Sequence, residues 1–452
     1  MAKATLSTCM IVRDEAQMLP DCLSSIAGVT DQLVIVDTGS TDDTVSIARS
    51  FGAQVHHFKW IDNFAAARNE SIRHATGDWI LWLDADERLV SSSVGPLKRL
   101  LVSPKRPTIY QVMIKNLQAD KQSYTLSMSH RLFSRHPRLS FSGRIHEQVH
   151  PSLEAAGGVE KSSDIVLEHE GYALDRDQMR AKLERNQVLL DAMIKEQPDS
   201  AYAHYTIGQN YALLGRREEA LAVYLRALEI NAFKGTSVAT LFNALAETSW
   251  QLDRFEDAEK YVSKSLAITQ RQTSGHFIMY RIMRSRGDIG GQIKYLEKIL
   301  PFSQQGVGRT ESDLPKDVLI PRPHVLFSLG QLYVSIDDFA AAAKVLKECL
   351  TLEPDREEIR ELLVTGFARQ NRWDEIVTVL ADLPPPLPDN LREMNGVAFL
   401  KLLRFEEAIA HYTAWLQDEP AHEGVRKRLA GIYAKSGNRQ AAQRILEGKP
   451  PG

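Results

Sequence analysis

The stretch WILWLDADE, Trp79 to Glu87, drives five apolar residues straight into three carboxylates, Asp84, Asp86 and Glu87. Three chemistries place acidic residues in such a pattern. A calcium loop wants oxygen ligands at alternate positions and a glycine at the sixth, but Arg88 and Leu89 fill the fifth and sixth places here. A phosphatase with an aspartyl nucleophile also uses two aspartates after a strand. There the cluster follows the first strand, and a small hydroxyl residue stands where this chain has Arg88. The third chemistry is that of a sugar nucleotide. Its two phosphates must leave as an anion when the sugar is transferred, a bridging divalent cation neutralises that charge, and hard carboxylate oxygens suit Mg²⁺ or Mn²⁺. An acidic turn with no chemistry is the bland alternative, and a lone Asp-x-Asp is weak evidence against it.

The elements that must hold this cluster fall into two rhythms. Up to about Tyr172, short apolar runs (STCMIVR, QLVIVDT, AQVHHF, WILWLDAD) alternate with helical stretches such as DDTVSIARSFG and FAAARNESIRHATG. Continuous apolar runs bounded by polar loops predict strands covered on both faces, hence a mostly parallel sheet in an α/β layer. From Asp175 onward helix formers dominate and one register recurs. Gly208, Tyr211, Gly215, Ala220, Tyr224 and Ala227 are matched by Gly330, Tyr333, Ala342 and Leu346, then by Gly396, Phe399, Ala408 and Tyr412, then by Ala430, Tyr433, Gly437 and Ala442. The pattern resembles the tetratricopeptide repeat, with its period of about 34 residues and two helices meeting through small residues. One further copy keeps Ala246 and Ala258 but has Ser249 at the aromatic position, and 279–300 and 362–380 are more degenerate. Residues 301–322 and the stretch LPPPLPDN read as inserted loops. The expected division is 1–174 and 175–452.

At 452 residues the chain exceeds one ordinary domain. A formal net charge of -3 offers no basic field for nucleic acid or acidic lipid. Arg13, Asp14 and Glu15 interrupt the first apolar run where a signal peptide would continue, and no run approaches the roughly 18 apolar residues that span a bilayer. Cys9, Cys22 and Cys349 lie far apart, which indicates neither a zinc site nor a disulfide framework. A cytoplasmic protein without nucleic-acid partners or a membrane span is expected.

Taken in order, CMIVRDEAQMLPDCLSSI, QLVIVDTGSTDDT, FAAARNESIRHATGDWILWLDADE and SHRLFSRHPRLSFSGRIHEQV resemble glycosyltransferase family 2 over roughly Ser7 to Tyr172. The chain is similar to bacterial members that join this domain to tetratricopeptide-like helices, including peptide S-glycosyltransferases that modify sublancin-type bacteriocins. That resemblance implies an α/β GT-A (Rossmann-like) catalytic domain followed by an all-α tetratricopeptide-like helical repeat domain. It implies a metal-dependent inverting hexosyltransferase with a UDP-sugar donor, Mn²⁺ or Mg²⁺, and a peptide or protein acceptor. With the apolar helical surface it also points to a homodimer. Transfer to a polysaccharide or lipid-linked glycan, or a non-catalytic scaffold, are the alternatives.

Carried over residue by residue, the resemblance lays VRDE against the nucleotide base, so Val12, Arg13 and Glu15 are base contacts. Asp37 would bind uracil or ribose, its other role being a cap for the next helix, while Asp42 and Asp43 are helix N-terminal charges. Arg68 and Asn69 would reach the nucleotide, and Arg73 would solvate its helix. Asp84, with Ala85 behind it, would contact ribose or a metal-bound water, and Asp86 would ligate the metal. His169, which opens an H-x-G-Y pattern, would be a second metal ligand or a satisfied strand histidine. In FSGRIHEQVH, Glu147, with His146 as the alternative, would take the acceptor's proton, a departure from members whose base is an aspartate in a Glu-Asp pair. His130 and His150 are expected as surface or core residues, and Arg131 and Arg144 as phosphate contacts or solvated arginines.

Overall fold

The computed structural model describes residues 4–117, 124–170, 176–303, 312–314, 317–318, 320–381 and 387–450. The elements that build the sheet are β1 (Leu6–Val12), α1 (Leu19–Ile26), β2 (Gln32–Asp37), α2 (Thr44–Ser50), β3 (Gln54–His57), α3 (Phe64–Arg73) and β4 (Trp79–Leu83). They continue with β5 (Glu87–Leu89), α4 (Val94–Leu100), β6 (Thr108–Leu117), β7 (Tyr124–Ser134), α5 (His150–Ala155) and β8 (Val159–His169). One eight-stranded sheet results, in the order β3-β2-β1-β4-β7-β6-β8-β5.

Every residue of β4 is buried, and the run is apolar throughout because it feeds two cores at once. Trp79, Leu81 and Leu83 pack with Leu19, Leu23 and Ile26 of α1 and Leu97 of α4. Ile80 and Trp82 point the other way, into a cluster with Ala65, Phe133 and Phe141. Side chains alternate across a strand, so a strand sandwiched between two apolar layers carries no polar face.

The expectation of a mostly parallel sheet holds for one half only. The ladders β2–β3, β1–β2 and β1–β4 are parallel. Beyond β4 the sheet is mixed: β4–β7, β6–β7 and β5–β8 are antiparallel, and β6–β8 is parallel. Parallel neighbours need long crossovers. Successive strands from β1 to β4 are separated by a helix, whereas β6 and β7 follow one another closely and pair over nine registered positions.

The expected border at 174/175 lies outside the described residues, as do Gly171 and Tyr172 of the H-x-G-Y pattern and parts of 301–322 and LPPPLPDN. The chain forms two compact units, Met1–Ile278 with Glu311–Leu319, and Met279–Thr310 with Ile320–Gly452. In the first unit, α6 (Arg176–Glu196), α7 (Ala201–Leu213), α8 (Arg217–Ile230), α9 (Thr236–Gln251) and α10 (Phe255–Ile268) follow the sheet. Leu189, Leu190 and Met193 of α6 and Ala203 and Ile207 of α7 pack around Ile145, with Phe64 of α3 against them. The first helical residues therefore share a core with the sheet domain.

After α11 (Thr273–Ser285), the second unit contains α12 (Ile289–Ile299), α13 (Arg322–Ser335), α14 (Phe339–Leu352), α15 (Glu357–Arg369) and α16 (Trp373–Ala381). It ends with α17 (Asp389–Lys401), α18 (Phe405–Asp418), α19 (Glu423–Lys435) and α20 (Arg439–Leu446). The small residues of the repeat register sit at helix crossings. A side chain at Gly208 would run into the Tyr224 ring, one at Gly330 into Leu346, and one at Gly396 into the fully buried Tyr412. Gly396→Ala should therefore destabilise the second unit by about 1–3 kcal/mol through overpacking. Gly431→Ala, at an exposed helical site with open space around it, should be neutral or stabilising by up to about 1 kcal/mol. Urea denaturation of the two variants measures the contrast.

Candidate active site

β4 ends at Leu83, and the chain turns through Asp84, Ala85 and Asp86 into β5. Glu87 fixes this turn: its backbone N–H donates to the Asp84 carbonyl at 3.1 Å, and its side chain accepts from the Asp84 N–H at 3.0 Å. Arg68 on α3 donates to Asp84 Oδ1 at 2.6 Å and to Glu147 Oε1 at 2.5 Å. Arg131 on β7 donates to Asp84 Oδ2 at 3.2 Å and to Glu87. Both guanidiniums lie over the Trp82 ring, at 4.0 Å and 3.4 Å from its centroid. Burial pushes the Asp84 carboxyl up, but Arg68 and Arg131 outweigh it and hold the group ionised, well below the usual carboxylate range.

Asp86 is placed differently. β5 pairs Glu87 with His169 at the end of β8, which brings His169 Nε2 to 3.1 Å from Asp86 Oδ2. His169 Nδ1 donates to Asn116 Oδ1 at 2.9 Å, which leaves Nε2 to face Asp86: a protonated ring donates there, and a neutral ring presents a lone pair. Asp86 Oδ1 is buried with no hydrogen-bond partner, which is costly unless a ligand satisfies it. Burial favours the neutral imidazole, but Asp86 outweighs it and raises the His169 pKa.

A cavity of about 910 Å³ opens beside these groups, within the usual size of a ligand site. Val12, Arg13, Glu15, Arg68, Asp84, Ala85, Asp86, His146, Glu147 and His169 all line it. The structure thus brings together residues from five separate sequence segments. A second cavity, of about 970 Å³, shares Trp82, His146, Glu147 and His169 with the first and continues to Tyr202, Tyr205 and Phe233.

Two expected nucleotide contacts are not on the cavity wall. Asn69 clamps the backbone of Phe141, donating to its carbonyl at 2.9 Å and accepting from its N–H at 2.8 Å. Both ends of its amide are spent on positioning the loop that carries His146 and Glu147. Asp37, 3% exposed, accepts from the N–H groups of Gly39 and Ser40 at 3.2 and 3.0 Å and lies 3.2 Å from His57 Nδ1. Burial raises its pKa, but those bonds prevail and keep it ionised; its neighbour Thr38 reaches the cavity instead. Of the two arginines expected at phosphate or in solvent, Arg131 is buried, donating through Nη2 to Asp84 and Glu87 while Nε and Nη1 have no partner, and Arg144 pairs with Glu196 of α6.

Trp82 and Glu87, inside the quoted motif, had no expected role, and their part follows from contacts with β7 that no local pattern encodes. Lys182, Arg185 and Asn186 of α6 also line the first cavity. The expected border assigned them to the repeat domain, so their charge near the nucleotide residues gave no local signal.

Glu15 is driven up from 4.5 to about 7 by burial, reinforced by Asp86 and Asp84. A carboxyl whose folded-state pKa is raised costs nothing below its unfolded value and weakens the fold as pH climbs to the folded value. Glu15→Gln should accordingly raise the melting temperature of the chelator-treated protein at about pH 8 and leave it unchanged near about pH 4.5; calorimetry at the two pH values checks this. Arg68→Met removes the shared partner of Asp84 and Glu147 and should cost about 3–5 kcal/mol of the first unit's stability, read as a lowered denaturant midpoint.

Comparison with known proteins places this geometry. Residues 7–152 match the glycosyl transferase family 2 model, and 199–271, 323–356 and 400–450 match tetratricopeptide repeat models. A TPR repeat-containing protein of Synechococcus elongatus is 40% identical over 46% of this chain and 52% of its own length. The glycosyltransferase SunS of Bacillus subtilis is 26% identical over 51% of this chain and 54% of its own. An uncharacterized glycosyltransferase of Rickettsia prowazekii is 28% identical over 36% and 57%. The chain spans about half the length of these relatives. The GT-A-like sheet that carries the Asp84–Asp86 turn thus lies in the stretch that matches the glycosyl transferase family 2 model, and helices that match tetratricopeptide repeat models follow it in the same chain.

Proposed function

We propose that this protein is a metal-dependent, inverting glycosyltransferase that moves a sugar from a UDP-sugar to a peptide or protein. The observation that carries the metal is the buried, unpartnered Asp86 Oδ1 beside the 3.1 Å contact of Asp86 Oδ2 with His169 Nε2. A carboxylate and a neutral imidazole with waters completing the shell fit Mn²⁺ better than Mg²⁺, which favours oxygen ligands throughout. When bound, the metal would neutralise the diphosphate that departs.

The chain's own residues supply the rest. Val12, Arg13 and Glu15 line the end of the cavity where the base would lie, and Asp84, held ionised by two arginines, is set to accept from ribose hydroxyls. Glu147 stands where the two cavities meet, the place from which a base can take the acceptor's proton. His146, in the left-handed region at φ 53°, is the alternative base on the same turn. The second cavity is the proposed acceptor side, and its aromatic wall of Tyr202, Tyr205 and Phe233 offers apolar contacts to a peptide. No helix among the described residues is long and apolar enough to cross a membrane; with Cys9, Cys22 and Cys349 free and buried, the cytoplasm is the proposed compartment.

Asp86→Asn should abolish Mn²⁺-dependent UDP release from a panel of UDP-sugars while leaving the fold intact, and undiminished turnover would sink the metal assignment. Glu147→Gln keeps an oxygen for Arg68, so it should lower kcat by about 10²–10⁴ without weakening UDP binding. A kcat loss confined to His146→Ala would move the base to the imidazole. Mass spectrometry of peptide and glycan acceptors after turnover separates the two acceptor classes.

A further inference from the structure

His130 and His150, expected to be ordinary surface or core residues, converge with Glu160 on the wall of the larger cavity. His130 Nε2 is 3.0 Å from Glu160 Oε1 and His150 Nε2 is 2.9 Å from Glu160 Oε2. All three ligand atoms lie within 4.8 Å of one another. We propose that His130, His150 and Glu160 form a second metal site, for Zn²⁺ or a similar late first-row divalent ion, separate from Asp86 and His169.

The spacing suits such an ion. Ligands at about 2.0–2.1 Å in a tetrahedron stand roughly 3.3 Å apart, so small side-chain shifts would open the observed contacts around a centre. Two imidazoles and one carboxylate select zinc over magnesium or calcium, which prefer all-oxygen shells. The three ligands come from regular elements: His130 from β7, Glu160 from the start of β8, and His150 from the first residue of α5. Gln111, paired with His130 across the β6–β7 ladder, donates to Glu160 Oε1 and orients it, the kind of outer support that metal-binding carboxylates carry. Side-chain exposures of 28%, 38% and 31% leave the group reachable from solvent. Three protein ligands facing a cavity leave a fourth position open.

The other cluster of three such ligands among the described residues, Asp389–Glu419–His422, lacks these features. His422 spends Nδ1 capping α19, and Glu419 already holds Arg392 and Trp415.

Occupancy would reach the first cavity through one short path. The His130 carbonyl accepts from Trp82 Nε1 at 2.6 Å, and the next residue is Arg131. A metal on His130 would therefore fasten the strand segment that grips Trp82, Asp84 and Glu87. The assignment does not depend on which sugar or acceptor the protein uses.

The test is isothermal titration of the chelator-treated, dialysed full-length chain with ZnCl₂ in the absence of nucleotide, together with Co²⁺ absorption spectra. Asp86→Asn should retain a zinc site of wild-type affinity, and Co²⁺ bound to it should give the visible bands of a low-coordinate nitrogen and oxygen site. His150→Gln should weaken that site by about tenfold or more and remove the bands. If His150→Gln loses the wild-type circular dichroism, Glu160→Gln takes its place with the same expectations. Absence of zinc uptake by the wild type at submillimolar metal, loss of all zinc with Asp86→Asn, or unchanged affinity in a folded His150→Gln or Glu160→Gln would each overturn the proposal.

Discussion

The site is organised by one buried arrangement of charge: Arg68 and Arg131 stacked on the Trp82 ring and holding Asp84 between them. Removing ions from water is expensive, and mutual attraction offsets it only when geometry and hydrogen bonds are nearly complete. Asp84, Glu87 and Glu147 share these two guanidiniums, three carboxylates on two cations, and burial drives the Glu87 carboxyl up to about 7. Asp86, on the same turn, is the carboxylate left with an unmatched oxygen. The two aspartates differ sharply: Asp84 is held by two arginines, while Asp86 keeps a buried oxygen without a partner, the one to which the proposed function assigns the cation.

That turn also stands where the topology changes. β1 and β4 are parallel neighbours, and their carboxyl ends deliver Val12 and the Asp84–Asp86 turn to one crevice, the usual place for ligands in open α/β sheets. Past β4 the sheet becomes mixed. β7 sends in Arg131, β8 sends in His169, and the loop before α5 sends in His146 and Glu147. The helices that follow are part of the same construction. Arg144 pairs with Glu196, the Tyr202 hydroxyl donates to the His146 carbonyl at 3.1 Å, and Ile145 is buried in the α6–α7 core. The loop with the proposed base is thus seated on α6 and α7, which fix its position whatever the acceptor.

Legibility in the sequence followed the range of the interactions. WILWL reads as an inner strand because a two-sided core writes itself into every residue, and Gly208, Gly330 and Gly396 mark helix crossings because only a missing side chain fits there. The Asp84–Asp86 pair, Arg68, Glu147 and His169 were legible through ordered motifs, and all reach the same cavity. Asn69 and Asp37 could not be placed from sequence, since the same amide or carboxylate can bind a nucleotide or its own loop, and here each bonds to nearby backbone and neither lines the cavity. Arg131, Lys182 and the His130–His150–Glu160 group were illegible for a further reason: nothing near them in the chain hints at partners that the mixed half of the sheet and α6 bring close. The mixed half of the sheet was missed in the same way, since short apolar runs do not state the direction of the neighbour.

The central claim is that Asp86 and His169 hold the cation on a nucleotide diphosphate. Crystals grown with UDP and Mn²⁺, with data collected at the manganese edge, test it most directly. The expected result is an anomalous peak within bonding distance of an Asp86 carboxylate oxygen and His169 Nε2, bridged to both phosphates. UDP bound in the cavity with the peak elsewhere, or with Asp86 Oδ1 still unpartnered, would contradict it.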